Sequence, residues 1–287
     1  MLLAIAYLLS GGVEEQNSFA PPGFIDGKWW SYNPGQFDLK LQVPSPGSCA
    51  DDMIKISGNM LDDGEKPGWM STSIESVQKN SCTDWIEKKF PERCKSFDRE
   101  KWLEDSKLFS KKYREFCIDK YEWPNQKGNY PWVMVTFPEA QSLCESAGKR
   151  LCTEDEWTFA CEGEEATPYP YGYSRNSEEC GIDKQWRKYS QKALTLRGDS
   201  ACSKELQRLW NGSRSGDHLS CVSSYGVEDM TGNVDEWTVR VRPGEYSSIL
   251  KGGYWGPVRN RCRPSTRNHA PGHTFYQQGF RCCSNLK

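Results

Sequence analysis

Two stretches of the chain carry a helical period that opens on a capping signal. Thr136 precedes Pro138 and Glu139, which supplies an N-cap, an early proline and the returning carboxylate of a capping box. Ala140, Leu143, Cys144 and Ala147 then share one face until Gly148 ends the run. Thr153 and Glu156 repeat the device, with Trp157, Ala160 and Cys161 following at i, i+3 and i+4. The pattern predicts two short helices joined by residues 148–152. Elsewhere it predicts a strand over residues 53–60, a helix over 203–210, and short strands at Val239, Ile249 and Phe280.

The first 48 residues lack such a period. Leu2 to Leu9 form an apolar run followed by Ser10, Gly11 and Gly12, which reads as the end of a signal segment over residues 1–12 without its basic start. The run is too short to span a bilayer, which takes roughly 20 apolar residues. Residues 13–48 are rich in Gly, Pro, Ser and Asn and read as an extended linker. One domain is expected over 49–287, with a charged, disulfide-pinned insertion over 66–112. No repeat of solenoid or propeller length is visible.

Composition sharpens this. The 37 basic residues are scattered and the net charge is −2, so no nucleic-acid footprint follows. Aromatic residues reach 13 %, with frequent Gly and Pro, which describes an irregular, loop-rich fold pinned by large side chains rather than a disordered chain. The 13 cysteines include no CxxC pair and suit a disulfide framework in an oxidising compartment: periplasm, cell envelope or secreted fluid. Membrane attachment is expected only through an uncleaved N-terminal segment. No GxSxG, HExxH or phosphate-cradling glycine loop is present.

Five motifs occur in order: CIDKYEW at Cys117, GKRLCTEDEWTFAC at Gly148, YGVEDMTGNVDEWT at Tyr225, KGGYW at Lys251 and GFRC at Gly279. Together they resemble the formylglycine-generating enzyme family, also called the sulfatase-modifying factor family, over residues 49–287. The resemblance implies an irregular α+β fold of the C-type-lectin type. It also implies an activity, the copper- and oxygen-dependent oxidation of a sulfatase cysteine, which relies on two thiols after the GGS motif.

Here that loop reads GGYWGPVRNRCRP. Tyr254 stands at the serine, Pro257 at the first catalytic cysteine, and the second has no counterpart. Cu(I) selects soft thiolates, so Pro and Tyr cannot rebuild the site, and copper is not expected. Cys262 matches a structural cysteine of the family. Asp235 is a second departure, at a position more often aromatic. A structural calcium site is implied at Asp229, Gly232, Val234 and Glu236, an all-oxygen set suited to a hard cation. A second family calcium site is not carried over, because Gly181 replaces an expected asparagine.

The resemblance implies a Cys161–Cys282 disulfide. Cys144 with Cys152, and Cys180 with Cys221 or Cys262, are further candidate pairs, and Cys283 is the candidate odd thiol. Tyr254, Trp255, Arg259, Arg261, Arg263, Arg267, Asn268 and His269 form the expected ligand face, where aromatics and arginines suit sugars, peptide groups or anions. The competing reading makes Trp255 core and the arginines ion-paired. His269 and His273 share a loop, but no carboxylate side chain follows Leu250, so a facial iron site is weakly supported.

No catalytic residue is singled out. The expected function is an extracytoplasmic, calcium-stabilised binding or accessory module, with an unknown protein or glycan ligand at the outer surface. The alternative is an oxygen-dependent oxidoreductase of the same family acting on a non-sulfatase substrate.

Overall fold

The computed structural model describes residues 47–63, 73–195 and 200–286, together with the backbone of two short strands. Those strands, β1 (Gly23–Ile25) and β2 (Lys28–Trp30), pair antiparallel, so the segment read as a linker carries a hairpin. The apolar segment 1–12 lies outside the described residues.

Two four-stranded sheets organise the domain. In the first, β3 (Met53–Asp62) pairs antiparallel along its whole length with β6 (Ser110–Asp119), followed by β12 (Cys282–Ser284) and β7 (Arg150–Leu151). The second has the order β10 (Ser265–Thr266), β9 (Ser248–Lys251), β8 (Asp235–Val239), β11 (Gln278–Phe280), with β8 and β11 parallel. Between β3 and β6 lie helix α1 (Ser73–Asn80), the hairpin β4 (Cys82–Glu87) and β5 (Arg93–Phe97), and helix α2 (Arg99–Asp105). These elements lie within the predicted insertion of 66–112, whose last residues already belong to β6.

Both capping predictions hold. Helix α3 (Phe137–Ser146) starts on a full Thr136/Glu139 capping box, and helix α4 (Glu154–Glu162) on the same arrangement of Thr153 and Glu156. Each box satisfies N–H groups that a helix start leaves open. Trp157, Phe159 and Ala160 of α4 pack against Ile56, Phe116 and Ile118 of the first sheet. Phe137, Ala140 and Cys144 of α3 pack against Trp237, Leu250 and Phe280 of the second. Helices α5 (Gln191–Thr195) and α6 (Ser200–Leu209) cover a third cluster around Trp210, Trp255 and Tyr276.

Six disulfides tie this irregular chain together: Cys49–Cys117, Cys82–Cys94, Cys144–Cys282, Cys152–Cys283, Cys161–Cys262 and Cys180–Cys221. The Cys161–Cys282 pair implied by family resemblance is therefore corrected, as are the Cys144–Cys152 pair and the odd thiol at Cys283. Strand β12 explains the change. Successive strand residues point to opposite faces, so Cys282 reaches α3 while Cys283 reaches Cys152, and the end of α4 is left to Cys262. Cys221 is the partner taken by Cys180. Cys202, buried in α6, stands outside the six bridges.

Candidate functional site

A cleft of about 440 Å³ opens beside the loop that follows β9. Tyr254, Pro257, Val258 and Arg259 line it from that loop, and His269, His273 and Phe275 from the segment after β10. Asp235 of β8 and Gln278 of β11 close the sheet side, Tyr189 faces them, and Phe90 and Pro91 reach in from the tip of the β4–β5 hairpin.

The cleft's charged groups are paired. Nη2 of Arg259 donates to both carboxylate oxygens of Asp235, at 2.8 and 2.7 Å. Burial pushes the Asp235 carboxyl up, and the Arg259 guanidinium pulls it back. Arg259 Nη1 and Gln277 Oε1 are buried without a hydrogen-bond partner. His269 and His273 stack with ring centroids 4.1 Å apart, and His273 Nδ1 lies 3.0 Å from Gln278 Oε1. Burial, then His273 and Arg259, push His269 down to about 4. No lining residue is a cysteine, and Cys262, the single cysteine of the loop, is bonded to Cys161.

The predicted ligand face is thus divided. Tyr254, Arg259 and His269 line the cleft, whereas Trp255 is core, 2 % exposed and edge-on to Trp210 at 4.7 Å. Arg263 is buried and gripped by Glu162 through two hydrogen bonds of 2.7 and 2.6 Å, with Asp63 and the Leu61 carbonyl completing its shell. Arg261 is buried against Glu92. Arg267 is half-buried and Asn268 exposed, and neither lines the cleft.

Adjacent residues of β8 serve opposite faces, as the pleat requires. Asp235 turns to the cleft, while Glu236 enters a buried carboxylate cluster. Arg281 donates to Glu236 through Nε at 2.7 Å and Nη2 at 2.8 Å, and Trp157 Nε1 adds a third bond at 2.8 Å. The turn before β8 is tight, because Asp229, Gly232 and Asn233 all take positive φ. A Cβ on Gly232 would sit 2.6 Å from the Gly181 carbonyl, so only glycine fits there.

Asp229 is buried and accepts the Gly216 N–H at 2.6 Å. Glu122, which sequence reasoning passed over within the CIDKYEW motif, accepts from Asn233 at 2.8 Å and Ser215 at 2.5 Å. Burial pushes Glu122 up to about 7, opposed by Arg281 and reinforced by Glu236. Asp229 is raised well above the carboxylate range by burial and by Glu122. Glu228 Oε2 is buried without a hydrogen-bond partner.

Carboxylates here outnumber Arg281 and the donors are oxygens, so the turn suits a hard divalent cation in kind. Glu236 is the weak member, its two oxygens already serving Arg281 and Trp157. Among the described residues no three His, Cys, Asp or Glu side chains are grouped to hold a metal. A cation would therefore rest on Asp229 and main-chain oxygens.

Known proteins match the chain in the same region. Residues 74–286 match the sulfatase-modifying factor enzyme 1-like domain. The chain is similar to the inactive C-alpha-formylglycine-generating enzyme 2 of Bos taurus, with 30 % identity over 172 residues, covering 55 % of this chain and 52 % of the relative. It is also similar to hercynine oxygenase of Mycolicibacterium smegmatis, with 29 % identity over 167 residues, covering 49 % of this chain and 34 % of the relative. The crystal structure of CarF aligns over 82 % of this chain and 98 % of its own, at 13 % identity and a TM-score of 0.45. The chain spans about half the length of the inactive enzyme it matches. With the five motifs in order and the match extending over residues 74–286, the chain belongs to the sulfatase-modifying factor enzyme 1-like, or formylglycine-generating enzyme, family.

Proposed function

We propose that this protein is an extracytoplasmic binding or accessory domain that uses the family fold without copper-dependent cysteine oxidation. The observation that carries the reading is the thiol-free cleft, where Tyr254 and Pro257 occupy the loop and Cys262 is committed to Cys161. Cu(I) needs soft thiolate ligands, and the cleft offers none. Six disulfides support an oxidising compartment. Among the described residues no helix is long and apolar enough to cross a membrane.

Calcium belongs to this proposal as a structural ion. Asp229 and the main-chain oxygens of Gly232 and Val234 would hold it, while Glu236 stays with Arg281. When bound, it would supply positive charge against Glu122 and Asp229, and no chemical step is assigned to it.

A second reading, an oxygen-dependent oxidoreductase of the same family, draws on His269 and His273 at the cleft. Asp235 lines the same cleft but is held by Arg259, which among the described residues leaves no carboxylate to complete an iron site. Oxygen uptake by the protein incubated with Cu(I) or Fe(II), in the presence of thiol and phenol substrates, separates the two readings. No substrate-dependent uptake is expected, and sustained turnover would overturn the binding-domain reading.

A further inference from the structure

The lining of the cleft restricts the chemistry of what it can hold. Its two groups of opposite charge, Asp235 and Arg259, are hydrogen-bonded to each other and cancel, and no lysine or glutamate lines it among the described residues. A charged ligand would therefore be desolvated without a counter-charge, which is costly. Burial holds His269 neutral at physiological pH, so it adds no charge.

What the cleft does offer is aromatic surface together with one donor and one acceptor that have no partner in the protein. Tyr189 meets Phe275 edge-on at 4.9 Å, and both line the wall with Tyr254. Arg259 Nη1, a donor, and Gln277 Oε1, an acceptor, are each without a hydrogen-bond partner. A hydroxyl group donates and accepts at once, so a polyol can satisfy both kinds of site. An extended peptide has less to gain, because strand addition needs a free main-chain edge. The sheet's two edge strands, β10 and β11, are only two and three residues long.

We infer that the cleft takes an uncharged saccharide, with a C–H face of a pyranose ring against the aromatic wall and its hydroxyls toward Arg259 and Gln277. The inference rests on the reading of this cleft as a binding site. The volume is within the range of small-ligand pockets.

The test is to probe the full chain against an array of neutral, sialylated and sulfated glycans and a matched array of short peptides. The strongest hit is then titrated by calorimetry into the wild type, Tyr254→Ala and Phe90→Ala. Phe90 is 78 % exposed at the rim, so its truncation spares the core if Tyr254→Ala fails to fold. Neutral glycans are expected to bind, with affinity roughly tenfold weaker once an aromatic wall residue is removed. A preference for acidic glycans, or peptide binding alone that is weakened by the variants, overturns the saccharide assignment and leaves the cleft as a binding site. No binding to either array, or binding unaffected by both variants, overturns the cleft reading as well.

Discussion

Arg259 holds Asp235 through two hydrogen bonds from a single nitrogen, Nη2, and both side chains are nearly buried on the wall of the cleft. Asp235 belongs to β8 and Arg259 to the loop after β9, so the pair joins sheet and loop as one unit. Removing one partner strands a buried charge, whereas replacing both by apolar groups of similar shape need not. Arg259→Ala is expected to cost about 3 kcal/mol in urea unfolding. The Asp235→Leu/Arg259→Met double variant should recover most of that loss. A double variant no more stable than Arg259→Ala would mean that the pair is not the unit described.

The Cys161–Cys262 bridge closes a sequence separation of 101 residues and anchors the cleft loop to α4. By the chain-entropy model such a closure is worth on the order of 4–5 kcal/mol. The Cys161→Ala/Cys262→Ala variant is expected to unfold at much lower urea concentration than the oxidised wild type. In the unreduced wild type under denaturant, alkylation and peptide mapping should find one thiol, at Cys202. A modified Cys283 in its place would contradict the connectivity.

Calcium added at saturating concentration is expected to raise the melting temperature, and chelation to lower it, because a ligand that binds only the folded state stabilises it. Asp229→Ala should abolish the response, and Asp235→Asn, on the opposite face of β8, should leave it intact. An unchanged melting temperature in the wild type would rule out a structural calcium ion.

Glu162 carries a testable pH dependence. Burial pushes its carboxyl up to about 7 despite the paired Arg263. With a folded value above the ordinary carboxylate range, its contribution to stability is fully present at low pH and is lost as pH rises through about 7. Glu162→Gln removes this titration while keeping a hydrogen-bonding side chain. Relative to the wild type, the variant should therefore gain stability between pH 5 and pH 7.5, with a limiting slope on the order of 1 kcal/mol per pH unit. A pH-independent difference between the two unfolding curves would contradict the assignment.

Local physics explains which parts of the fold were legible. The starts of α3 and α4 were readable because a capping box is completed within four residues. The helix predicted over 203–210 appears as α6 (Ser200–Leu209), and the strands at Val239, Ile249 and Phe280 appear in β8, β9 and β11. Disulfide pairing was not legible, because it depends on which face of β12 each cysteine takes. On the cleft, Tyr254, Arg259 and His269 were identified from one loop. That loop could not show that Trp255 turns inward or that Arg263 is sequestered by Glu162. Asp235 stands out in the sequence only as a departure, although period-2 alternation places it on the face opposite Glu236. Phe90 arrives from an insertion some 160 residues away in sequence, and no sequence signal tied it to the cleft.

On the proposed reading, a cleft without a thiol leaves the family's copper chemistry no ligands. An anaerobic Cu(I) titration in competition with a chromophoric chelator, with thiols counted on the same sample, tests it most directly. The native protein is expected to show no stoichiometric high-affinity Cu(I) binding, and a single thiol is expected on denaturation. One tightly bound Cu(I) equivalent accompanied by two or more thiols would contradict that reading.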